Sequence, residues 1–193
     1  MLSDCVVAMS PESSEAEVMK AKICLVGEAA VGKTSLIRRF VLDLFEDLYI
    51  ATLGAKVTKR EVYLQQGNGG RDLKVNLMIW DIMGEKGFRE LLKEAYFHGA
   101  QGVLAVCDLT RRDTLLELKH WIDSVMKVTG EVPVRFVVNK TDLTDDAQFG
   151  EDDVRALSEE RGSSYLMTSA KTGEGVQQAF EEIARLVAKR LGE

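Results

Sequence analysis

Apolar runs and amphipathic stretches alternate along most of the chain. Lys22–Gly27 is a short apolar run closed by glycine, while Gly102–Asp108 (GVLAVCD) and Val132–Asn139 (VPVRFVVN) are longer apolar runs of strand length. Lys56–Leu64 and Lys74–Asp81 alternate polar and apolar residues, the period of half-buried strands. The glycine-rich Gln65–Gly70 between them predicts a hairpin with a flexible tip. Helical spacing recurs at Lys33–Leu44, Phe88–Phe97, Thr114–Val128 and Glu151–Arg161. It is clearest at Gly175–Leu191, where Val176, Ala179, Phe180, Ile183, Leu186 and Val187 form one stripe. Tyr165–Thr168 supplies a sixth, short strand. Strands apolar on both faces need cover on both. The pattern therefore predicts a three-layer α/β fold: a six-stranded, mainly parallel sheet with one antiparallel edge, flanked by five helices. Residues 1–20 read as a flexible acidic tail with a short helix at Glu15–Lys20, and residues 21–193 as one domain.

Composition narrows the function classes. The chain has 193 residues and a net charge of −6, from 25 Lys and Arg against 31 Asp and Glu. A surface built to coat nucleic acid is usually basic, so that class is disfavoured. Backbone N–H groups can still hold a small anion without net positive charge. Cys5, Cys24 and Cys107 are spaced like neither a disulfide framework nor a zinc site, which points to reduced thiols and a cytoplasmic location. No apolar run reaches the length of about 18 residues that a membrane span needs, and the N-terminus lacks a secretory pattern. A monomer is expected.

The first chemical motif is Gly27-Glu28-Ala29-Ala30-Val31-Gly32-Lys33-Thr34, which fits G-x-x-x-x-G-K-[ST] between an expected strand and an expected helix. Glycines at its ends let the backbone curl so that successive N–H groups face inward, those of Ala30, Val31, Gly32 and Ser35 among them. Lys33 reaches the β- and γ-phosphates of a nucleotide, and the Thr34 hydroxyl can bind Mg²⁺. The positive N-terminus of the following helix aims at the same anion. This loop alone does not separate ATPases, kinases and GTPases.

Base choice comes from Asn139-Lys140-Thr141-Asp142, at the C-terminal end of an expected strand, where ligands bind in open α/β sheets. A carboxylate there accepts from guanine N1–H and its 2-amino group. Adenine offers an acceptor at N1 and no 2-amino group. The Lys140 stem can lie along the base, and Ser169-Ala170-Lys171 can supply a backbone N–H to guanine O6.

With these motifs in this order, the chain resembles the Ras-like small GTPases, the Rab branch most, over about residues 21–191. The resemblance rests on Gly27–Thr34, Tyr49–Gly54, Trp80–Gly84, Asn139–Asp142 and Ser169–Lys171. It implies the P-loop NTPase fold, GTP and GDP as ligands, Mg²⁺, and two mobile switches that meet an exchange factor, a GTPase activator and effectors. It implies that Thr52, with Thr34 and Asp81, serves Mg²⁺, and that the Thr52 and Gly84 N–H groups contact the γ-phosphate. It also implies that Phe45 packs on guanine and that Tyr49 folds over the phosphates. Leu53, Trp80, Phe88, Leu91 and Tyr96 would form the effector surface, with core or edge packing as the competing reading for Trp80.

Three departures bear on mechanism. Glu85 stands where the family usually has the glutamine that orients the attacking water. When ionised it accepts from water, cannot donate, and repels the γ-phosphate; Lys86 beside it can offset that charge. Ala29 and Ala30 replace two glycines of Ras. No arginine lies between Asp43 and Thr52 to act in cis, and Arg89 reads as an ordinary surface residue. The hairpin tip, Gln66–Arg71, is longer than usual and reads as a tolerated surface loop. The expected activity is slow GTP hydrolysis, with a GTP-binding scaffold that rarely hydrolyses as the alternative. Arg185, Lys189 and Arg190 suit a helix C-terminus. No prenylation cysteine follows Cys107 and Leu2 is not glycine, so no lipid anchor is expected.

Overall fold

The computed structural model describes residues 17–46, 51–65, 72–85 and 94–192. Tyr49, the hairpin tip at 66–71, and Lys86, Phe88, Arg89 and Leu91 lie outside the described residues, as do residues 1–16.

Six strands form one sheet: β1 (Glu17–Val26), β2 (Ala55–Leu64), β3 (Leu73–Ile82), β4 (Gly102–Asp108), β5 (Val134–Asn139) and β6 (Tyr165–Met167). Their order is β2-β3-β1-β4-β5-β6. β2 and β3 pair antiparallel and every other pair is parallel, as the hydrophobic pattern predicts. The helices are α1 (Lys33–Leu42), α2 (94–97 within the described residues), α3 (Arg112–Thr129), α4 (Glu151–Glu160) and α5 (Val176–Leu191).

Each face of the sheet carries its own core. On one, Ile23, Leu25, Leu77 and Ile79 pack with Leu36 and Phe40 of α1 and Phe180 and Ile183 of α5. Phe40 and Phe180 stack with ring centroids 4.1 Å apart, which fixes α1 against α5. On the other, Cys24, Val26, Val103 and Ala105 meet Leu118, Trp121 and Val125 of α3. Alternation along β1 thus feeds both layers, and Ile23 to Val26 are wholly buried. Burial pushes the Cys24 thiol up to about 12 and the Cys107 thiol up as well, so both stay protonated and unreactive at neutral pH. Among the described residues no helix is long and apolar enough to cross a membrane.

One correction falls at the start of the domain. Residues 17–20, read as the end of a tail with a short helix, are strand: Glu17 to Lys20 pair with Leu73 to Asn76 of β3. Val18 is 59 % exposed there, so this part of β1 has no strong apolar signature. The long β3 provides backbone partners that a 22–27 strand would leave unpaired.

Candidate functional site

β1 delivers the chain to the carboxyl edge of the sheet, where residues 27–32 turn back into α1. Gly27 (φ 139°) and Gly32 (φ 99°) are required there. A Cβ on the first would strike the Val106 carbonyl, and on the second the Asn139 amide. Ala30 also lies in the left-handed region, at φ 61°. Lys33 is 6 % exposed and folds back over the loop, its Nζ donating to the Gly27 carbonyl at 2.7 Å and the Glu28 carbonyl at 2.8 Å. Burial pulls its pKa down to about 8; Asp81 and Glu28 hold it up, and Arg111 presses it lower.

Beside it three oxygen-bearing side chains converge from distant segments. Thr34 Oγ1 donates to Asp81 Oδ2 at 2.6 Å and lies 2.9 Å from Thr52 Oγ1. Burial raises the Asp81 pKa against the opposing hydrogen bond from Thr34 and the charge of Lys33. Its other oxygen, Oδ1, is buried without a hydrogen-bond partner. Two hydroxyls and a carboxylate with one orphaned oxygen are the hard donor set that Mg²⁺ takes, so these residues fit that cation. The Met83 N–H donates to the Gly54 carbonyl at 2.9 Å, tying the Thr52 segment to the Gly84 segment. Gly84 rests directly on the phosphate loop: a Cβ there would stand 2.5 Å from Ala29 N.

The base-reading motif is built differently from its linear form. Asn139, 1 % exposed, donates from Nδ2 to the Val31 carbonyl at 2.9 Å and accepts from Ala170 N–H at 3.1 Å. It therefore laces the phosphate loop to the 169–171 loop. Ser169 Oγ donates to Asp142 Oδ1 at 2.6 Å. Lys140, in the left-handed region at φ 68°, pairs through Nζ with Asp108 Oδ2 at 2.6 Å. Burial would raise the Asp108 carboxyl, but the Lys140 and Thr110 hydrogen bonds leave it below its usual range. Ser169 N–H goes to Glu174 O at 3.0 Å. Ala170 N–H is likewise committed, to Asn139.

One cavity of about 330 Å³ joins these parts. Gly32, Lys33, Thr34 and Ser35 line it from the loop and α1, and Phe45 and Thr52 from the segment after α1. Ala30, Gly84 and Glu85 line one end; Asn139, Lys140, Asp142, Ala170 and Lys171 line the other. Gly27, Val31, Asp81 and Ser169 stand behind this lining rather than in it. Glu85 is exposed, and Phe45, half-buried, also packs on the core around α1. Outside the cavity Leu53 is 88 % exposed, whereas Trp80 is half-buried with Lys22 Nζ 3.8 Å over its ring.

Residues invisible to motif reading also serve the site. Arg39 donates to the Ala170 and Lys171 carbonyls at 2.9 and 2.6 Å, anchoring the 169–171 loop to α1. Arg38 and Glu46 form a two-pronged pair, at 3.0 and 2.7 Å, at the cavity mouth. Trp121 Nε1 donates to Glu28 Oε1 at 2.9 Å. Only the C-terminal charge bias of α1 hints at Arg39 in the sequence; the others carry no local signal.

The family model described as "Ras family" matches residues 22–189. The chain is 35 % identical over 176 residues to "Ras-related protein Rab-27B" of Homo sapiens, covering 88 % of this chain and 80 % of that protein. It is 33 % identical over 172 residues to "Ras-related protein RABD1" of Arabidopsis thaliana, covering 89 % of this chain and 80 % of that one.

Proposed function

The chain belongs to the Ras family, on its Rab branch, and on that premise we propose that the cavity described above holds GTP or GDP and reports which one is bound. As a small GTPase it binds guanine nucleotide with Mg²⁺, and regulators and effectors are its class of partner. The observation that carries the finer reading is the convergence of Thr34, Thr52 and Asp81 beside buried Lys33, where Lys33, Thr34 and Thr52 line the same cavity as Asp142.

The roles follow from the chemistry of each group. Lys33 and the loop N–H groups hold the phosphates, while Asp142 and Lys171 read the base edge and Phe45 its face. Thr34, Thr52 and Asp81 would hold the cation, which when bound offsets phosphate charge. Thr52 and Gly84 sense the γ-phosphate. Losing it releases both segments, and the Met83–Gly54 hydrogen bond makes them relax together. Exchange factor, GTPase activator and effector would meet these segments and exposed Leu53.

Hydrolysis is proposed to be slow, on the order of 10⁻⁴–10⁻² s⁻¹ without a partner. Nucleotide content after purification and single-turnover hydrolysis test this, and an unaided rate near 1 s⁻¹ would overturn it. Glu85 favours a second reading, a GTP-binding scaffold with little hydrolysis, because an exposed carboxylate at the phosphate end of the cavity can accept from water but repels phosphate. Glu85→Gln is expected to raise the single-turnover rate about tenfold, equivalent to 1.4 kcal/mol of barrier, while nucleotide affinity moves less than about twofold. A variant that shifts affinity and leaves the rate unchanged would remove Glu85 from the hydrolytic step.

A further inference from the structure

Arg111, just ahead of α3, belongs to none of the motifs, yet its guanidinium closes on the phosphate loop from outside. Nη2 donates to the Ala29 carbonyl at 2.8 Å, and Nε donates to Asp108 Oδ2 at 3.0 Å. Asp108 is wholly buried and makes a rigid base: its Oδ1 takes the Thr110 N–H at 3.0 Å and hydroxyl at 2.8 Å. The oxygen that takes Arg111 also takes Lys140 Nζ, at 2.6 Å. One carboxylate thus holds both the lysine of the base loop and the cation that grips the phosphate loop.

The grip falls where the loop is under strain. Ala30 adopts a left-handed φ of 61° that a residue with a Cβ enters only at a cost. Glycine would take that conformation freely. The peptide between Ala29 and Ala30 is planar, so a cation fixed on the Ala29 oxygen also fixes the direction of the Ala30 N–H at the opposite end. It polarises that peptide as well, strengthening the N–H as a donor.

We propose that Arg111 is a positioning residue of the nucleotide site, one that clamps the Ala29–Ala30 peptide so that the Ala30 N–H is held ready for phosphate, and that it compensates for alanine where glycine would relax the loop. The guanidinium fork suits this double attachment; a lysine ammonium cannot reach Asp108 and Ala29 in the same planar arrangement. The inference rests on residues 27–34 holding the phosphates of a nucleotide.

The test is the dissociation of a fluorescent GDP analogue from the full chain, in wild type, Arg111→Ala, Arg111→Lys, Ala30→Gly and the Arg111→Ala/Ala30→Gly double variant. Release is expected to quicken about tenfold in Arg111→Ala, the scale of one lost charge-assisted hydrogen bond, and severalfold in Arg111→Lys. In the Ala30→Gly background, removing Arg111 is expected to change release by less than about threefold, because glycine needs no clamp. Amide exchange at Ala30 and Val31 should quicken in Arg111→Ala while the centre of β4 stays protected. A merely structural role would give the same factor in both backgrounds, and that result overturns the proposal, as does release within twofold of wild type in Arg111→Ala. If Arg111→Ala does not fold, Arg111→Lys is read against Ala30→Gly by the same criteria. A wild-type chain that holds no GDP would overturn the nucleotide reading itself; tight GDP binding with unaltered release in the variants overturns the clamp alone.

Discussion

Replacing Asp142 with asparagine is expected to weaken GDP binding about a thousand-fold and to make xanthosine diphosphate the better ligand. A carboxylate offers roughly four acceptor sites. Ser169 Oγ occupies one of them at 2.6 Å, which leaves capacity for guanine N1–H and the 2-amino group and holds the carboxylate in place. Hydrogen bonds to a charged partner contribute about 1.5–3 kcal/mol each; the asparagine carbonyl keeps the N1–H bond without its charge and the 2-amino bond is lost, together worth about 4 kcal/mol, or three powers of ten. The amide also turns one acceptor into a donor, which opposes the 2-amino group and suits the 2-oxo group of xanthine. Ser169 can still donate to the asparagine carbonyl, so the 169–171 loop should persist and the melting temperature should change little. Competition among GDP, xanthosine diphosphate and ADP measures the shift. Unchanged guanine preference would remove Asp142 from base recognition.

What the sequence makes legible is chemistry that is contiguous. Gly27–Thr34 and Asn139–Asp142 declare themselves because each motif is a single turn of backbone with its own functional groups. The mainly parallel sheet with one antiparallel edge is likewise legible, since β4 and β5 are apolar runs buried on both faces, although β3, which alternates in sequence, is buried along most of its length. Contacts that exist only after folding are not. Asn139 stands in the base motif and lines the cavity, and its amide also joins Val31, 108 residues earlier, to Ala170. Arg39 reaches Ala170 across 131 residues, and Arg111 reaches Ala29 across 82. No periodicity or spacing encodes these pairs. The start of β1 carries no clear signal for a different reason: near the sheet margin, backbone pairing to β3 holds residues 17–20, and pairing leaves no hydrophobic trace.

Removing the charge of Lys33 with a Lys33→Met substitution is expected to lower nucleotide affinity by about three powers of ten or more while the chain still folds. Of the three ammonium donors, two are spent on the Gly27 and Glu28 carbonyls, which leaves one for a phosphate oxygen. In the nucleotide-free chain that charge is a liability, since burial holds its pKa at about 8, below the 10.5 of an ordinary lysine. Between those values the unfolded chain binds more protons than the folded one, so the stability of the nucleotide-free protein should rise with pH across pH 8–10.5. Phosphate reverses the balance by favouring the ammonium form. GDP binding near pH 8 should therefore take up about half a proton, and affinity should fall as pH climbs above about 8. Methionine keeps the stem packed against the loop but cannot titrate, so its stability curve should be flat over the same window. Calorimetry in two buffers of different ionisation enthalpy reads the proton, and denaturant titrations at pH 8 and 10 read the slope. Binding by the methionine variant within tenfold of wild type would separate Lys33 from the phosphates. A wild-type chain that binds GDP without taking up a proton would mean that nucleotide leaves Lys33 as it is in the empty loop.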